Sequence, residues 1–205
     1  MSSAPIRDPK TDHLLTPANA AMTIIDYQPV QVNSINSMNR AELIDKIVVA
    51  AELVSGFKIP IVLSTVNVAT GINQPTIPRL ANVLKDLPVY DRTSINAWED
   101  KEYNDAIKAT GRKKLIIAAL WTEACLTFPS IDALREGYDV YVLADAVGGT
   151  SVVAHEMALR RIEQAGAKMI SIAQLACELQ RDWARKETAG IMVNALKHDG
   201  AFLNM

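Results

Sequence analysis

The run Lys114-Leu-Ile-Ile-Ala-Ala-Leu120 leaves a strand no watery face. Side chains alternate between the two faces of a strand, so an unbroken apolar run must be covered on both, as in the middle of a parallel sheet. The rest of the chain fits that demand. β-Branched or apolar runs at residues 21–25, 59–66, 88–92, 113–120, 138–144 and 168–173 read as six strands. Helical patterns lie between them. Residues 40–56 carry Leu43, Ile44, Ile47, Val48, Ala51 and Val54 at helical spacing and stop at Gly56. Residues 76–86, residues 99–110 up to Gly111, a stretch ending near Glu136 and Gly137, and one beginning near Ser151 read the same way. Two helical segments, 174–187 and 189–197, close the chain. Repeated β-α order with right-handed crossovers predicts an α/β fold of three layers, α/β/α, with a mostly parallel six-stranded sheet of Rossmann-like type.

Composition narrows the function classes. At 205 residues and 49% hydrophobic content, the chain can bury one substantial core, so a single domain is expected, with its core over about 15–174 and a C-terminal helical segment over about 175–205. A net charge of −2, with Lys and Arg scattered, supplies no basic stripe for nucleic acid. No apolar run reaches membrane-spanning length, and residues 1–10 lack the apolar centre of a signal peptide. A cytoplasmic protein with no membrane or nucleic-acid partner is therefore expected. Two cysteines, Cys125 and Cys177, are too few for a disulfide framework.

Ligands of such folds bind beyond the carboxyl ends of the strands. Three reactive side chains fall there: Asp26 after the first strand, Arg92 at the end of the third, and Cys125 after the fourth. A thiol where a strand hands over to a helix meets open backbone N–H groups, which stabilise thiolate and can hold an oxyanion. A nearby carboxylate can take the thiol proton and return it to a leaving amine. Arg92 would favour ionised Asp26 and ionised Cys125, but it cannot shuttle protons. Each residue also has a plainer use: buried cysteine is commonly inert, aspartate caps turns, and arginine forms surface ion pairs. Gln28, Asn96 and Trp98 are candidate pocket residues that could equally cap or pack. Cys177, inside an apparent helix, reads as core or interface.

Asp26-Tyr-Gln, Ala119-Leu-Trp-Thr-Glu-Ala-Cys-Leu126, Ala133-Leu-Arg-Glu-Gly-Tyr-Asp-Val140 and Ala144-Asp-Ala146 resemble the isochorismatase-like cysteine hydrolase superfamily over about residues 15–174. Asp91-Arg-Thr-Ser-Ile-Asn-Ala-Trp98 and Ala176-Cys-Glu-Leu-Gln-Arg-Asp-Trp183 look more narrowly like its YcaC-like subgroup. The resemblance implies a triad of Asp, Lys and Cys, mapped here onto Asp26, Arg92 and Cys125, with arginine replacing the usual lysine. Lys113 and Lys114 begin the fourth strand and Lys85 precedes the third, so all three belong at the opposite edge of the sheet. The resemblance also implies a cis peptide at Leu120-Trp121 and an oxyanion hole from the backbone N–H groups of Trp121 and Cys125.

The activity so implied is hydrolysis of a small-molecule amide through a thioester. Vinyl-ether hydrolysis of an isochorismate-like substrate and a non-enzymatic binding or assembly role are the alternatives. No metal is expected, because His13, His155 and His198 lie far apart and Ser64-Thr-Val-Asn-Val-Ala-Thr-Gly71 lacks the Asp-x-His motif of related nicotinamidases. Gly148-Gly149 has neither dinucleotide nor P-loop spacing, so no cofactor is expected. A homo-oligomer is expected from the resemblance, with residues 190–197 offering apolar contacts.

Overall fold

The structure, a computed structural model, describes residues 7–201. Residues 1–6 and 202–205, which belong to the expected leaderless start and to the end of the C-terminal segment, lie outside the described residues. Six strands form one sheet in the order β3-β2-β1-β4-β5-β6: β1 Ala20–Ile25, β2 Ile61–Val66, β3 Val89–Arg92, β4 Lys114–Ala119, β5 Asp139–Leu143 and β6 Lys168–Ile170. Every pairing is parallel. β1 and β4 lie side by side at the centre, and all six residues of each are buried. That is the covered position the apolar run of β4 requires.

Helices close both faces. α2 (Arg40–Gly56), α3 (Pro78–Val83), α7 (Ile172–Gln180) and α8 (Lys186–His198) pack among themselves on one side. α4 (Lys101–Ala109), α5 (Thr127–Arg135) and α6 (Val152–Gln164) belong to the other. α2 shows how sequence sets an element: the Asn39 side chain accepts from the amides of Ala41 and Glu42, and Leu43, Ile47, Ala50 and Val54 turn into the core. No described helix is long and apolar enough to cross a membrane.

Several boundaries differ from the sequence reading, most of all after the sixth strand. The sixth strand stops at Ile170, because the Ser171 hydroxyl caps a helix by accepting from the Gln174 amide and the Asp145 carboxylate accepts from the Ile172 amide. Ile172 and Ala173 therefore begin α7, and the last two helices run over 172–180 and 186–198 instead of 174–187 and 189–197. A short helix α1, Pro29–Asn33, also follows β1 where no element was expected. It starts on Pro29, whose fixed φ suits a first helical turn.

The strand order reverses between β1 and β4, since the chain steps outward through β2 and β3 before returning to the middle. Their carboxyl ends consequently bound the crevice where such sheets bind ligands.

Candidate active site

Asp26 directly follows β1 in the left-handed region, with φ of 62°. Aspartate tolerates this conformation better than most residues. Its amide donates to the Ser64 carbonyl at 3.0 Å, and its carbonyl accepts from the Gln28 amide at 2.8 Å. Asn67 makes the same left-handed exit after β2, with φ of 61°, and donates its amide to the Arg92 carbonyl at 2.8 Å. Matching exits from neighbouring strands line up the segments that carry the site.

Arg92 ends β3, two strands from β1, so its side chain must pass over β2. The guanidinium meets Asp26 with two parallel bonds, Nη1 to Oδ1 and Nη2 to Oδ2, each 2.7 Å. On the way Nη1 also donates to Ser64 Oγ at 3.1 Å and to the Thr65 carbonyl at 2.9 Å. Both side chains are closed to solvent. The planar fork of arginine makes this two-point grip possible, whereas an ammonium would act as a point charge.

Cys125 sits in a π-helical turn, Thr122–Leu126, between β4 and α5. The Leu126 amide reaches back five residues to the Trp121 carbonyl, and the Thr127 hydroxyl donates to the Thr122 carbonyl at 2.6 Å. The Leu120-Trp121 peptide is cis. Cys125 as a whole retains 9% exposure. The Asp26 carboxylate and the Trp121 backbone amide lie close enough to act on its sulfur. Asp26 thus touches both the guanidinium and the sulfur, and the three separated residues meet.

Burial and the neighbouring groups act on the sulfur in opposite senses. Burial, followed by the Asp26 charge, pushes the Cys125 thiol up to about 12, against the downward pull of Arg92 and the Trp121 amide. Burial and the Asp26 charge thus both favour the protonated thiol. Burial also raises Asp26 above the ordinary carboxylate range, although Arg92 draws it down. Arg92 itself is raised: desolvation opposes its charge, but its bonds to Asp26 outweigh that cost. The cluster holds one mobile proton. Whether carboxyl or thiol carries it, the group of three stays neutral, so moving the proton between them creates no net buried charge.

The other expected pocket residues spend their polar atoms elsewhere. Gln28 is fully buried; its Nε2 donates to the Val66 and Gln74 carbonyls, and its Oε1 accepts from the Val66 amide, stitching the loop after β2 to the exit of β1. Asn96 caps a 3₁₀ turn by accepting from the Trp98 amide and donates to Asp132 at 2.7 Å. Trp98 donates its indole N–H to Glu136 at 2.8 Å and packs edge-on against Tyr103 and Tyr138. Lys114 lies at the opposite edge of the sheet, bonded to the His13 carbonyl, Asp139 and Tyr141. Cys177 is exposed on α7 rather than in the core, because it falls on the face turned away from buried Leu175, Ala176 and Leu179.

Sequence reasoning missed Ser64 and the buried pair of Thr23 Oγ1 and Tyr103 Oη, 3.0 Å apart. The signal for Thr23 is a lone polar residue inside an otherwise apolar central strand, whereas Ser64 lies beside Thr65 in β2 and Tyr103 lies on α4, where no such signal exists. Among the described residues, no three His, Cys, Asp or Glu side chains gather where they could hold a metal ion.

Sheet order and site together define a doubly wound parallel α/β protein whose acid, guanidinium and thiol meet at the switch point. The isochorismatase domain model matches residues 20–174. The Escherichia coli (strain K12) protein named "Probable hydrolase YcaC" is 34% identical over 188 residues, covering 91% of this chain and 89% of its own. The crystal structure of the Escherichia coli YcaC gene product, described as an octameric hydrolase of unknown specificity, superposes with a TM-score of 0.85 at 32% identity over 92% of each chain. The Pseudomonas aeruginosa YcaC structure, with hexane-2,5-diol and covalent acrylamide, also gives 0.85, at 31% identity over 93% of this chain and 96% of that one. The chain belongs to the isochorismatase-like hydrolase superfamily, within its YcaC-like subgroup.

Proposed function

We propose that this protein is a cysteine-dependent hydrolase of a small-molecule amide-type carbon–nitrogen bond, acting through a thioester without metal or cofactor. The observation that carries the reading is the Asp26 carboxylate held between Arg92 and Cys125. As sulfur attacks the carbonyl carbon, its proton passes to Asp26 and the S–C bond forms. The carbonyl electrons become an oxyanion facing the backbone N–H groups of Trp121 and Cys125. Collapse breaks the C–N bond, and Asp26 gives its proton to the departing nitrogen. Asp26 then takes a proton from water as it attacks the thioester. The C–S bond breaks, the acid leaves, and the proton returns to sulfur. Arg92 keeps its charge throughout and steadies Asp26.

Covalent acrylamide in the Pseudomonas relative supports the reading, because acrylamide is an electrophile to which thiolates add. The octameric Escherichia coli relative supports a homo-oligomer here. A free thiol nucleophile suits the reducing cytoplasm, and the reading treats residues 1–205 as one catalytic domain. The test is ammonia release from a library of small amides by wild type and Cys125→Ala. Wild type should release ammonia, and the variant should lose about a thousandfold or more. Equal rates in the two proteins would remove the covalent mechanism. Pyruvate release from isochorismate without ammonia from any amide would favour the vinyl-ether reaction instead.

A further inference from the structure

The turn that carries Cys125 is held from outside by the loop and helix that follow β5. Thr122 is fully buried; its amide donates to the Gly148 carbonyl at 2.9 Å, and its carbonyl accepts from the Thr127 hydroxyl at 2.6 Å. Its remaining polar atom, Oγ1, lies 2.8 Å from Nδ1 of His155. Glu123 is tied to the same loop, its Oε1 accepting from the amide and the hydroxyl of Thr150. α6, which bears His155, packs directly on this turn.

His155 has no part in the proton transfers described above. It is half-buried near the start of α6, where a histidine commonly does no more than pack. Its partner sets it apart. Burial lowers its pKa from the ordinary 6.5, against the charges of Glu123 on the turn and Glu156 on its own helix, so the ring is neutral in neutral or alkaline solution. A neutral ring can give or take the hydrogen bond at Nδ1, and in either sense the bond fixes Thr122. Thr122 adjoins Trp121, whose amide favours the ionised sulfur of Cys125. Two soft torsions, φ and ψ of Trp121, separate that amide from the peptide that Thr122 anchors. A shift of about 1 Å in such a group can cost about a hundredfold in rate.

We propose that His155 is a positioning residue, acting through the Thr122 hydroxyl to keep the Trp121 amide against the sulfur of Cys125. Its effect on catalysis rests on the hydrolytic reading above, whereas its effect on the thiol does not.

The test uses full-length protein carrying Cys177→Ser, so that Cys125 is the thiol labelled. Two rates are read: iodoacetamide labelling of Cys125, which needs no substrate, and ammonia release from small amides. His155→Leu and Thr122→Val, in protein whose circular dichroism matches the parent, should each slow labelling at about pH 9 by about three- to tenfold, because the thiolate loses the Trp121 amide. Each should lower kcat about ten- to a hundredfold with KM changed less than about twofold. Because both remove one bond, the double variant should fall no further than the worse single variant. His155→Asn sets an amide where Nδ1 stood and should restore both rates to within about threefold of the parent. His155→Gln sets its amide one bond further out and should not. Ser151→Ala, which uncaps α6 without touching Thr122, should leave both rates unchanged. The proposal is overturned if His155→Leu or Thr122→Val labels as fast as the parent or faster, if their effects add, if His155→Asn does no better than His155→Gln, or if Ser151→Ala slows labelling as much as His155→Leu does. Absence of ammonia release from every amide by the parent would remove the hydrolytic reading instead, and the labelling rates would still decide the role of His155.

Discussion

Replacing Arg92 with methionine tests the electrostatic core of the site. Methionine retains much of the apolar stem, so the main loss is the guanidinium and its bonds to Asp26, Ser64 and the Thr65 carbonyl. Removing one partner of a buried ion pair typically costs about 3–5 kcal/mol, because the remaining charge stays desolvated. The pH dependence follows from Asp26. Its folded value is raised by burial even in wild type and rises further once the pull of Arg92 is gone. A carboxyl raised on folding is penalised only where it must ionise in the folded protein. The destabilisation should therefore be full at high pH and shrink as pH falls toward the unfolded value of 3.8. Urea unfolding of Arg92→Met and its parent, both carrying Cys125→Ala to remove the second titrating group, measures this at fixed protein concentration. A gap below about 1 kcal/mol, or the same gap at about pH 4.5 and about pH 8.5, would refute the buried-pair argument.

Asp26→Asn should remove the main charge opposing the thiolate, so iodoacetamide should label Cys125 severalfold faster than in wild type at about pH 9, while ammonia release is lost. Slower labelling of the variant would show that Asp26 does not hold the sulfur protonated. Gly149→Ala would set a Cβ 2.6 Å from Glu123 Oε2 and 3.1 Å from the His155 amide nitrogen. Glu123 is tied to Thr150 by two hydrogen bonds and cannot readily yield. Overpacking of this kind costs about 1–3 kcal/mol and should lower the melting temperature by several degrees, so an unchanged midpoint would contradict it. Asn39→Ala should cost about 1 kcal/mol through loss of the α2 cap, with no change in the labelling rate of Cys125.

Much of the architecture was legible before any coordinates. An apolar run such as that of β4 has one stable home, and the helical spacing over 40–56 specifies α2 to the residue, because periodicity and caps act over a few neighbouring positions. Asp26, Arg92 and Cys125 were legible for a related reason: each ends or follows a strand, and strand ends converge in this class of sheet. Local signals failed where a distant partner decided the matter. Ile172 and Ala173 continue a strand-like run, but Asp145 and the Ser171 cap turn them into helix. Asn96 and Trp98 sit beside Arg92 in sequence, yet Asp132 and Glu136 of the segment following Cys125 claim their polar atoms.

The sequence by itself determined the strand and helix periods, the parallel sheet and which three reactive groups reach its carboxyl edge. Only the tertiary structure decided that Arg92 grips Asp26 at two points, that Ser64 lies along its path, and that burial and the Asp26 charge favour the protonated thiol. Patterning is a property of neighbouring residues, whereas a proton's position depends on burial and on charges brought close from distant parts of the chain.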